Sequence, residues 1–171
     1  MKIEENKIQE YIGTSFKVEK IEGVSTLTFS DKSSINNTER YATVMLGDCS
    51  SCNKLNELYE DFTYNKVLVL GLGLGLLAET LKIEKHCSVV DVIDNNQELI
   101  DYVDYLDDSI NIEKAEAFTY TTNNKYDLVL VDLWWGYEDI TEEMLYTIKN
   151  NYASCLEDGG KILIPILHKS I

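Results

Sequence analysis

The stretch KVLVLGLGLGLLAETL, residues 66–81, decides the fold of this chain. It begins with a short apolar run, as expected for a strand that is buried on both faces, and residues 76–83 are predicted to form a helix. Between these segments stand Gly71, Gly73 and Gly75. Glycine permits a tight turn and removes side chains that would keep a ligand away from the backbone. The stretch therefore predicts a strand, a ligand-binding turn and a helix in succession.

Predicted strands and helices alternate from this stretch to the end of the chain. The strands are predicted at residues 67–70, 88–93, 110–113, 127–131 and 161–166, and the helices at residues 76–83, 97–106 and 141–156. Such alternation indicates a parallel sheet with helices on both faces. We therefore expect residues 66–171 to form a Rossmann-like domain of the α/β class, with a parallel sheet of about five strands.

The first 65 residues are more polar and are expected to form an N-terminal extension. A short helix is predicted at residues 2–12. Period-two alternation at residues 16–21 and 24–29, with Glu22 and Gly23 between them, predicts a β-hairpin. Residues 41–46 fit either a helix or a strand, and apolar residues at helical spacing predict a helix that ends near Asn65.

The spacing of the glycines separates two classes of ligand. Dinucleotide-binding turns have the pattern GxGxxG, in which the third glycine packs the helix against the strand. Leu76 stands at that third position here, so the observed pattern is GxGxG. This spacing suits a nucleoside of the S-adenosylmethionine type better than a dinucleotide. Because a glycine pattern alone is weak evidence, the acidic residues that follow it matter.

Three acidic residues follow the later strands. Asp94 ends the second strand, 19 residues after Gly75, where a carboxylate can accept hydrogen bonds from both ribose hydroxyls. Glu116 follows the third strand, in position to accept a hydrogen bond from an adenine amino group. Asp132 ends the fourth strand, beside the expected reaction centre. Any one of these could be a solvated loop acid, but their order makes a chance arrangement much less credible.

With these features the chain resembles the class I S-adenosylmethionine-dependent methyltransferases, and among them the spermidine synthase-like branch. Val69 is apolar where many methyltransferases carry an acid and spermidine synthase-like proteins often do not. The segment IDNN at residues 93–96 is similar to the acid-Ile-Asp of that branch, and EAF at residues 116–118 is similar to its Asp-Gly/Ala-Phe. Upstream, TERYA at residues 38–42 resembles the region before its nucleotide fold.

The resemblance implies a cofactor site, and no metal site is expected. The residues implied to bind S-adenosylmethionine are Gly71, Gly73, Gly75, Asp94, Glu116, Ala117 and Asp132. Asp132 is also implied as the catalytic residue that orients the acceptor. The function implied first is a methyltransferase that acts on a small molecule.

Two alternative functions remain open. One is an aminopropyltransferase, which would use decarboxylated S-adenosylmethionine and for which methylthioadenosine is the related ligand. True members carry an acid where this chain has Leu74 and a second acid where it has Trp135, which weighs against polyamine synthesis. The other is a non-catalytic nucleoside-binding or assembly module. A nicotinamide-dependent oxidoreductase is disfavoured by Leu76.

Trp134, Trp135 and Glu138 follow Asp132 and are candidates for substrate binding. One indole ring could stack on adenine or face a cation, and Glu138 could hold a cationic group. Equally, the two tryptophans could form part of the core or a lid, and Glu138 could be a solvated loop acid.

The net charge of the chain limits the classes of partner that it can bind. The sequence has 171 residues and a formal net charge of −15. Such a surface repels nucleic acid and anionic lipid. The charge either keeps the protein soluble or attracts a cationic substrate. The charged start has no apolar region of a signal peptide, and no apolar run is long enough to span a membrane, so a cytoplasmic protein is expected.

Cys49 and Cys52 form a CxxC pair without further zinc ligands, so ordinary thiols are expected.

The final strand raises the question of what covers the edge of the sheet. Residues 161–166 are strongly apolar, and a bare apolar edge promotes aggregation. We expect this edge to be covered by the N-terminal segment, by another copy in a homo-oligomer or by a partner chain.

Overall fold

The computed structural model describes residues 7–21, 24–31, 40–46, 62–133, 140–167 and 169–171, which form two sheets. The larger sheet contains β5 (Lys66–Leu70), β6 (Val89–Asp94), β7 (Asn111–Lys114), β8 (Tyr126–Val131), β9 (Leu156–Ile164) and β10 (Lys169–Ser170). Its spatial order is β10-β9-β8-β5-β6-β7, and β5 to β9 are parallel. The predicted Rossmann-like parallel sheet of five strands is confirmed.

The helices lie between these strands. They are α1 (Leu76–Glu79), which continues as a π-helical turn (Thr80–Glu84), α2 (Gln97–Tyr102) and α3 (Glu142–Ala153). Asn96 and Thr141 cap α2 and α3, because their side chains accept hydrogen bonds from the backbone N–H groups of Leu99 and Met144. All three helices lie where they were predicted, although α2 ends four residues earlier and α3 ends three residues earlier, because Leu156 already belongs to β9. Within the described residues, none of these helices has the length and apolar character needed to cross a membrane.

Alternating strand residues fill two hydrophobic layers, one on each face of the larger sheet. Val67 and Val69 of β5 pack with Leu77 of α1 and Leu99 of α2 on one face. Leu68 and Leu70 lie on the opposite face, in the layer that contains Ile148 and Tyr152 of α3. Helices therefore cover both faces of the sheet, as the alternation of strands and helices predicted.

The smaller sheet is antiparallel and lies in the N-terminal part of the chain. It contains β1 (Tyr11–Ile12), β2 (Phe16–Ile21), β3 (Val24–Asp31) and β4 (Arg40–Leu46), in that order. The predicted hairpin is confirmed, and residues 41–46 are a strand. The predicted helix that ends near Asn65 lies mostly outside the described residues.

The helix predicted at residues 2–12 is wrong over its described part. Tyr11 and Ile12 form a strand, paired with Val18 and Lys17 of β2. Tyr11 also stacks on Phe16, with ring centroids 5.0 Å apart. Cross-strand pairing and ring packing therefore override the helical pattern of this short segment.

The N-terminal sheet shares a core with the larger sheet. Phe16, Val18 and Leu27 are buried in the same cluster as Val67 and Leu99. Burial of these apolar side chains holds the two sheets together. The division of the chain into domains at residue 65 stays a prediction.

The expected cover for the last parallel strand requires a correction. The C-terminal residues of this chain itself form β10, where Lys169 pairs with Ile164 and Ser170 pairs with Leu163. The backbone N–H of Ile171 also donates to the carbonyl of Ile162 at 3.0 Å. β9 is thus covered at its end by an antiparallel strand that the sequence pattern did not predict. A homo-oligomer or a partner chain at residues 161–166 stays a prediction.

Candidate functional site

The carboxyl ends of β5, β6 and β8 lie side by side at one edge of the larger sheet. Leu70 is in register with Ile93 and with Val131. Beyond these residues, the N–H of Gly71 donates to the carbonyl of Ile93 at 2.9 Å, and the N–H of Asp132 donates to the carbonyl of Leu70 at 2.8 Å. Hydrogen bonds therefore fix the positions at which the glycine turn and Asp132 leave the sheet.

The glycine turn, residues 71–75, has a backbone that only glycine adopts easily. The φ angles of Gly71, Gly73 and Gly75 are 99°, 53° and 74°, in the region that L-residues avoid. A Cβ on Gly71 would collide with the carbonyl oxygen of Asp132, and a Cβ on Gly75 would lie 2.6 Å from Leu106. The third glycine of the GxGxG pattern thus permits close packing against the segment after α2.

Asp94 joins the glycine turn to the loop after β6. Its Oδ2 accepts a hydrogen bond from the N–H of Leu72 at 2.9 Å, and its Oδ1 accepts one from the N–H of Asn96 at 2.8 Å. A carboxylate has about four acceptor positions, so each oxygen retains capacity for one further donor. Asp94 is therefore oriented by the protein and can still accept a pair of hydroxyl groups.

Glu116 lies on the exposed surface after β7 and is linked to the same edge. Its Oε2 accepts a hydrogen bond from the side-chain amide of Asn95 at 3.0 Å. The next residue, Ala117, is buried, and its carbonyl accepts a hydrogen bond from the hydroxyl of Tyr152 at 2.7 Å. The structure thus brings Glu116 close to the Asp94 loop through Asn95, a residue that sequence reasoning had not assigned a role.

Asp132 is half-buried at the end of β8, next to Gly71. The candidate acids Asp94 and Asp132 therefore flank the glycine turn from the two strands that neighbour β5. The predicted substrate-binding residues Trp134, Trp135 and Glu138 lie outside the described residues.

Sequence reasoning missed Glu98, which accepts five hydrogen bonds. The donors are the N–H groups of Thr14 and Ser15 at 2.7 and 3.0 Å, their hydroxyls at 2.8 and 2.6 Å, and the hydroxyl of Tyr11 at 3.0 Å. These bonds, led by that from the Ser15 hydroxyl, lower the pKa of Glu98 to about 2. An acid in the first turn of a helix is common because it interacts favourably with the helix dipole. The hydrogen-bond donors lie far from Glu98 in the sequence, so no local pattern indicated this role.

The low pKa of Glu98 predicts a specific pH dependence of stability. Its pKa is lowered from an ordinary value of 4.5 to about 2 on folding, so its contribution is present above pH ~4.5 and is lost as the pH falls towards 2. The facing titratable group, Tyr11, has a raised pKa and stays neutral throughout this range. We expect the free energy of unfolding of Glu98→Gln to fall less than that of the unaltered protein between about pH 5 and 2.5. Urea unfolding at each pH measures this difference.

The control for this measurement is Glu143→Gln, at an exposed position of α3. This substitution also removes one carboxylate but does not alter the contact between α2 and the β1–β2 turn. If the free energy of unfolding falls equally at low pH in Glu98→Gln, in the control and in the unaltered protein, the assigned role of Glu98 would be contradicted.

Two further polar side chains, one partly buried and one buried, hold the glycine turn and α1. The hydroxyl of Tyr105 donates to the carbonyl of Leu74 at 2.9 Å, and burial raises its pKa well above the usual value, so it remains a donor. The carboxylate of Glu79 accepts a hydrogen bond from the N–H of Asp107 at 3.0 Å. Neither role could be predicted, because both depend on where the chain lies after α2.

The described cysteines are not reactive groups. Cys87 and Cys155 are buried and form no disulfide. Burial raises the pKa of Cys87 to about 11 and also raises that of Cys155, so both are thiols at neutral pH. Cys49 and Cys52 lie outside the described residues. Among the described residues, no group of His, Cys, Asp and Glu side chains is arranged to hold a metal ion.

No protein-family model matches this chain, and no curated protein matches it. Solved structures do match. DhpI in its complex with S-adenosyl-L-homocysteine (SAH) gives a TM-score of 0.56 at 19% identity, covering 68% of this chain and 56% of that chain. The glycopeptide N-methyltransferase MtfA gives a TM-score of 0.54 at 13% identity, covering 67% of this chain and 52% of that chain.

The N-methyltransferase NodS from Bradyrhizobium japonicum WM9, in complex with S-adenosyl-L-homocysteine (SAH), gives a TM-score of 0.52 at 19% identity. The match covers 67% of this chain and 58% of NodS. This chain thus spans between 52% and 58% of the length of the three proteins. At these identities the likeness defines the fold, which is the Rossmann-like fold of methyltransferases. The spermidine synthase-like branch stays a prediction.

Proposed function

We propose that this chain binds S-adenosylmethionine and belongs to a methyltransferase that acts on a small molecule. The observation that carries the proposal is the link from the glycine turn to Asp94, in which the N–H of Leu72 donates to Oδ2 at 2.9 Å. It places a turn of three glycines and two buried leucines beside a carboxylate with unused acceptor capacity. The ribose of a nucleoside has two adjacent hydroxyl groups, and both can donate hydrogen bonds to this carboxylate.

The residues present fit the parts of S-adenosylmethionine. Gly71, Gly73 and Gly75 would border the methionine and ribose portions, Asp94 would accept from the ribose hydroxyls, and Glu116 would accept from the adenine amino group. The side-chain amide of Asn95 donates to the Glu116 carboxylate at 3.0 Å, which links Glu116 to the loop of Asp94. SAH-bound proteins share this fold, with DhpI and NodS as examples, which supports the same class of ligand here.

S-adenosylmethionine supplies a methyl group on a sulfonium, which passes to a nucleophilic atom of the acceptor and leaves SAH. The protein contributes mainly by holding the reacting groups in line. Asp132 lies beside Gly71 at the end of β8, where its carboxylate can orient the acceptor or receive its proton. The net charge of −15 favours an acceptor that carries a positive charge elsewhere in the molecule.

The experiment that tests the proposal is a calorimetric titration of the protein with a panel of ligands. The panel contains S-adenosylmethionine, SAH, decarboxylated S-adenosylmethionine, methylthioadenosine and NAD. Tightest binding of S-adenosylmethionine or SAH is the expected result and would justify a screen of amine and hydroxyl acceptors. Tightest binding of decarboxylated S-adenosylmethionine, followed by aminopropyl transfer to putrescine, would favour the spermidine synthase-like alternative.

Two other outcomes would oppose the proposal. Binding of SAH without methyl transfer to any acceptor would favour a non-catalytic nucleoside-binding or assembly module. Preference for NAD would overturn the assignment of ligand class that the GxGxG spacing predicts.

A further inference from the structure

The β1–β2 turn fits closely against the first turn of α2. Besides the five bonds that Glu98 accepts, a Cβ on Gly13 would collide with Glu98 and would lie 2.5 Å from the ring of Tyr11. An added Cβ would displace the carboxylate from the position in which it accepts these bonds. The contact is therefore a specific fit between two distant parts of the chain.

A polar route leads from this contact to the glycine turn. The side-chain amide of Asn96 donates to the hydroxyl of Ser15 at 3.0 Å. The backbone N–H of Asn96 donates to Asp94, which in turn accepts from the N–H of Leu72. Three successive hydrogen bonds thus connect the N-terminal sheet to the backbone of the glycine turn.

An aromatic route reaches the same turn through Tyr102, the last residue of α2. The rings of Tyr11 and Phe16 lie 5.2 and 5.6 Å from that of Tyr102, measured between centroids. Tyr102 contacts Tyr105 edge-on at 5.9 Å, and the Tyr105 hydroxyl donates to the carbonyl of Leu74. Both routes start in the N-terminal sheet and end on residues 72–74.

We propose that the N-terminal sheet positions the glycine turn and Asp94, with Glu98 and Tyr105 as the positioning residues. Glycine-rich backbone has more conformational freedom than other backbone, whereas a binding site needs its groups held within about 0.5 Å. The three positive φ angles of the turn are therefore stabilised by contacts from outside it. The inference rests on the proposed function, and it assigns to neither residue a contact with the nucleoside.

The first test uses the protein without ligand. Amide hydrogen exchange is measured by NMR for Glu98→Gln and Tyr105→Phe. Their controls are Asp101→Asn, an exposed carboxylate on the same helix that accepts from Gln97, and Tyr126→Phe, a buried hydroxyl that donates to Asp91. Each control matches the chemistry of its test variant but removes no hydrogen bond and no ring contact of either route.

We expect the test variants to increase exchange at Leu72, Gly75 and Asn96 by about tenfold, with no such change in the controls. Faster exchange confined to residues 11–16 would overturn the positioning role, because Glu98 would then fasten only the N-terminal sheet. Unchanged exchange at every one of these sites would also overturn it.

The second test measures SAH affinity by calorimetry, at a temperature where each variant is fully folded. We expect affinity to fall about tenfold in Glu98→Gln and Tyr105→Phe, as happens when an outer partner of a binding group is removed. The controls should bind as the unaltered protein does. Equal affinity in all variants would overturn the functional part of the inference. If the unaltered protein binds no SAH, the proposed function fails, and amide exchange still decides the positioning role.

Discussion

Replacement of Gly71 by alanine is expected to lower the free energy of unfolding by about 4 kcal/mol. Two effects add at this position. A residue other than glycine is strained by about 1–3 kcal/mol where φ is positive, and φ is 99° here. The new Cβ would also collide with the backbone carbonyl of Asp132. This clash lowers the free energy of unfolding by about 1–3 kcal/mol more, because a backbone atom cannot move away by a change of rotamer.

The matched control for this substitution is Gly159→Ala. Gly159 also has a positive φ, 82°, but an added Cβ would meet nothing within 4 Å. We expect this variant to lose only about 1–2 kcal/mol, the cost of the backbone conformation alone. Chemical denaturation of both variants measures the difference. Equal losses would show that β5 and β8 do not approach as closely at Gly71 as described.

Replacement of Asp94 by asparagine is expected to reduce SAH affinity by about a hundredfold or more. Hydrogen bonds to a charged acceptor contribute about 1.5–3 kcal/mol each, and loss of about 3 kcal/mol corresponds to about a hundredfold in affinity. The amide of asparagine also has one NH₂ group in place of an oxygen. That group would face the N–H of either Leu72 or Asn96, both of which now donate to Asp94.

The control for Asp94→Asn is Asp91→Asn on the same strand. Asp91 accepts a hydrogen bond from the hydroxyl of Tyr126 at 2.6 Å, a role that the carbonyl oxygen of asparagine can retain. We expect this variant to bind SAH as the unaltered protein does. Calorimetry measures both affinities, and unfolding measured in parallel separates a binding defect from a loss of fold. Retained SAH affinity in Asp94→Asn would remove the main support for the proposed site.

The candidate site was largely predictable because its residues follow strands in sequence order. Gly71, Asp94 and Asp132 each come directly after a predicted strand, and Glu116 comes three residues after the end of one. Carboxyl ends of parallel strands meet at one edge of a sheet. Their placement at that edge therefore followed from the strand pattern, without knowledge of any contact between side chains.

The positions of Glu98, Tyr105 and Gly13 could not be predicted. Glu98 receives its five hydrogen bonds from residues at least 83 positions earlier in the chain. Tyr105 reaches Leu74 across 31 positions. Such contacts depend on how the N-terminal sheet and α2 approach each other, which no periodicity within a segment of sequence reports.

By itself, the sequence determined the order of strands and helices, the parallel sheet and the strand ends where candidate site residues cluster. These follow from local hydrophobic period and from glycine spacing. Only the tertiary structure decided that Tyr11 and Ile12 form a strand, that residues 169–170 pair with β9, and that the N-terminal sheet contacts α2 through Glu98. The physical reason is that these features depend on partners far away in the chain, whose packing and hydrogen bonds outweigh the weak preferences of short segments.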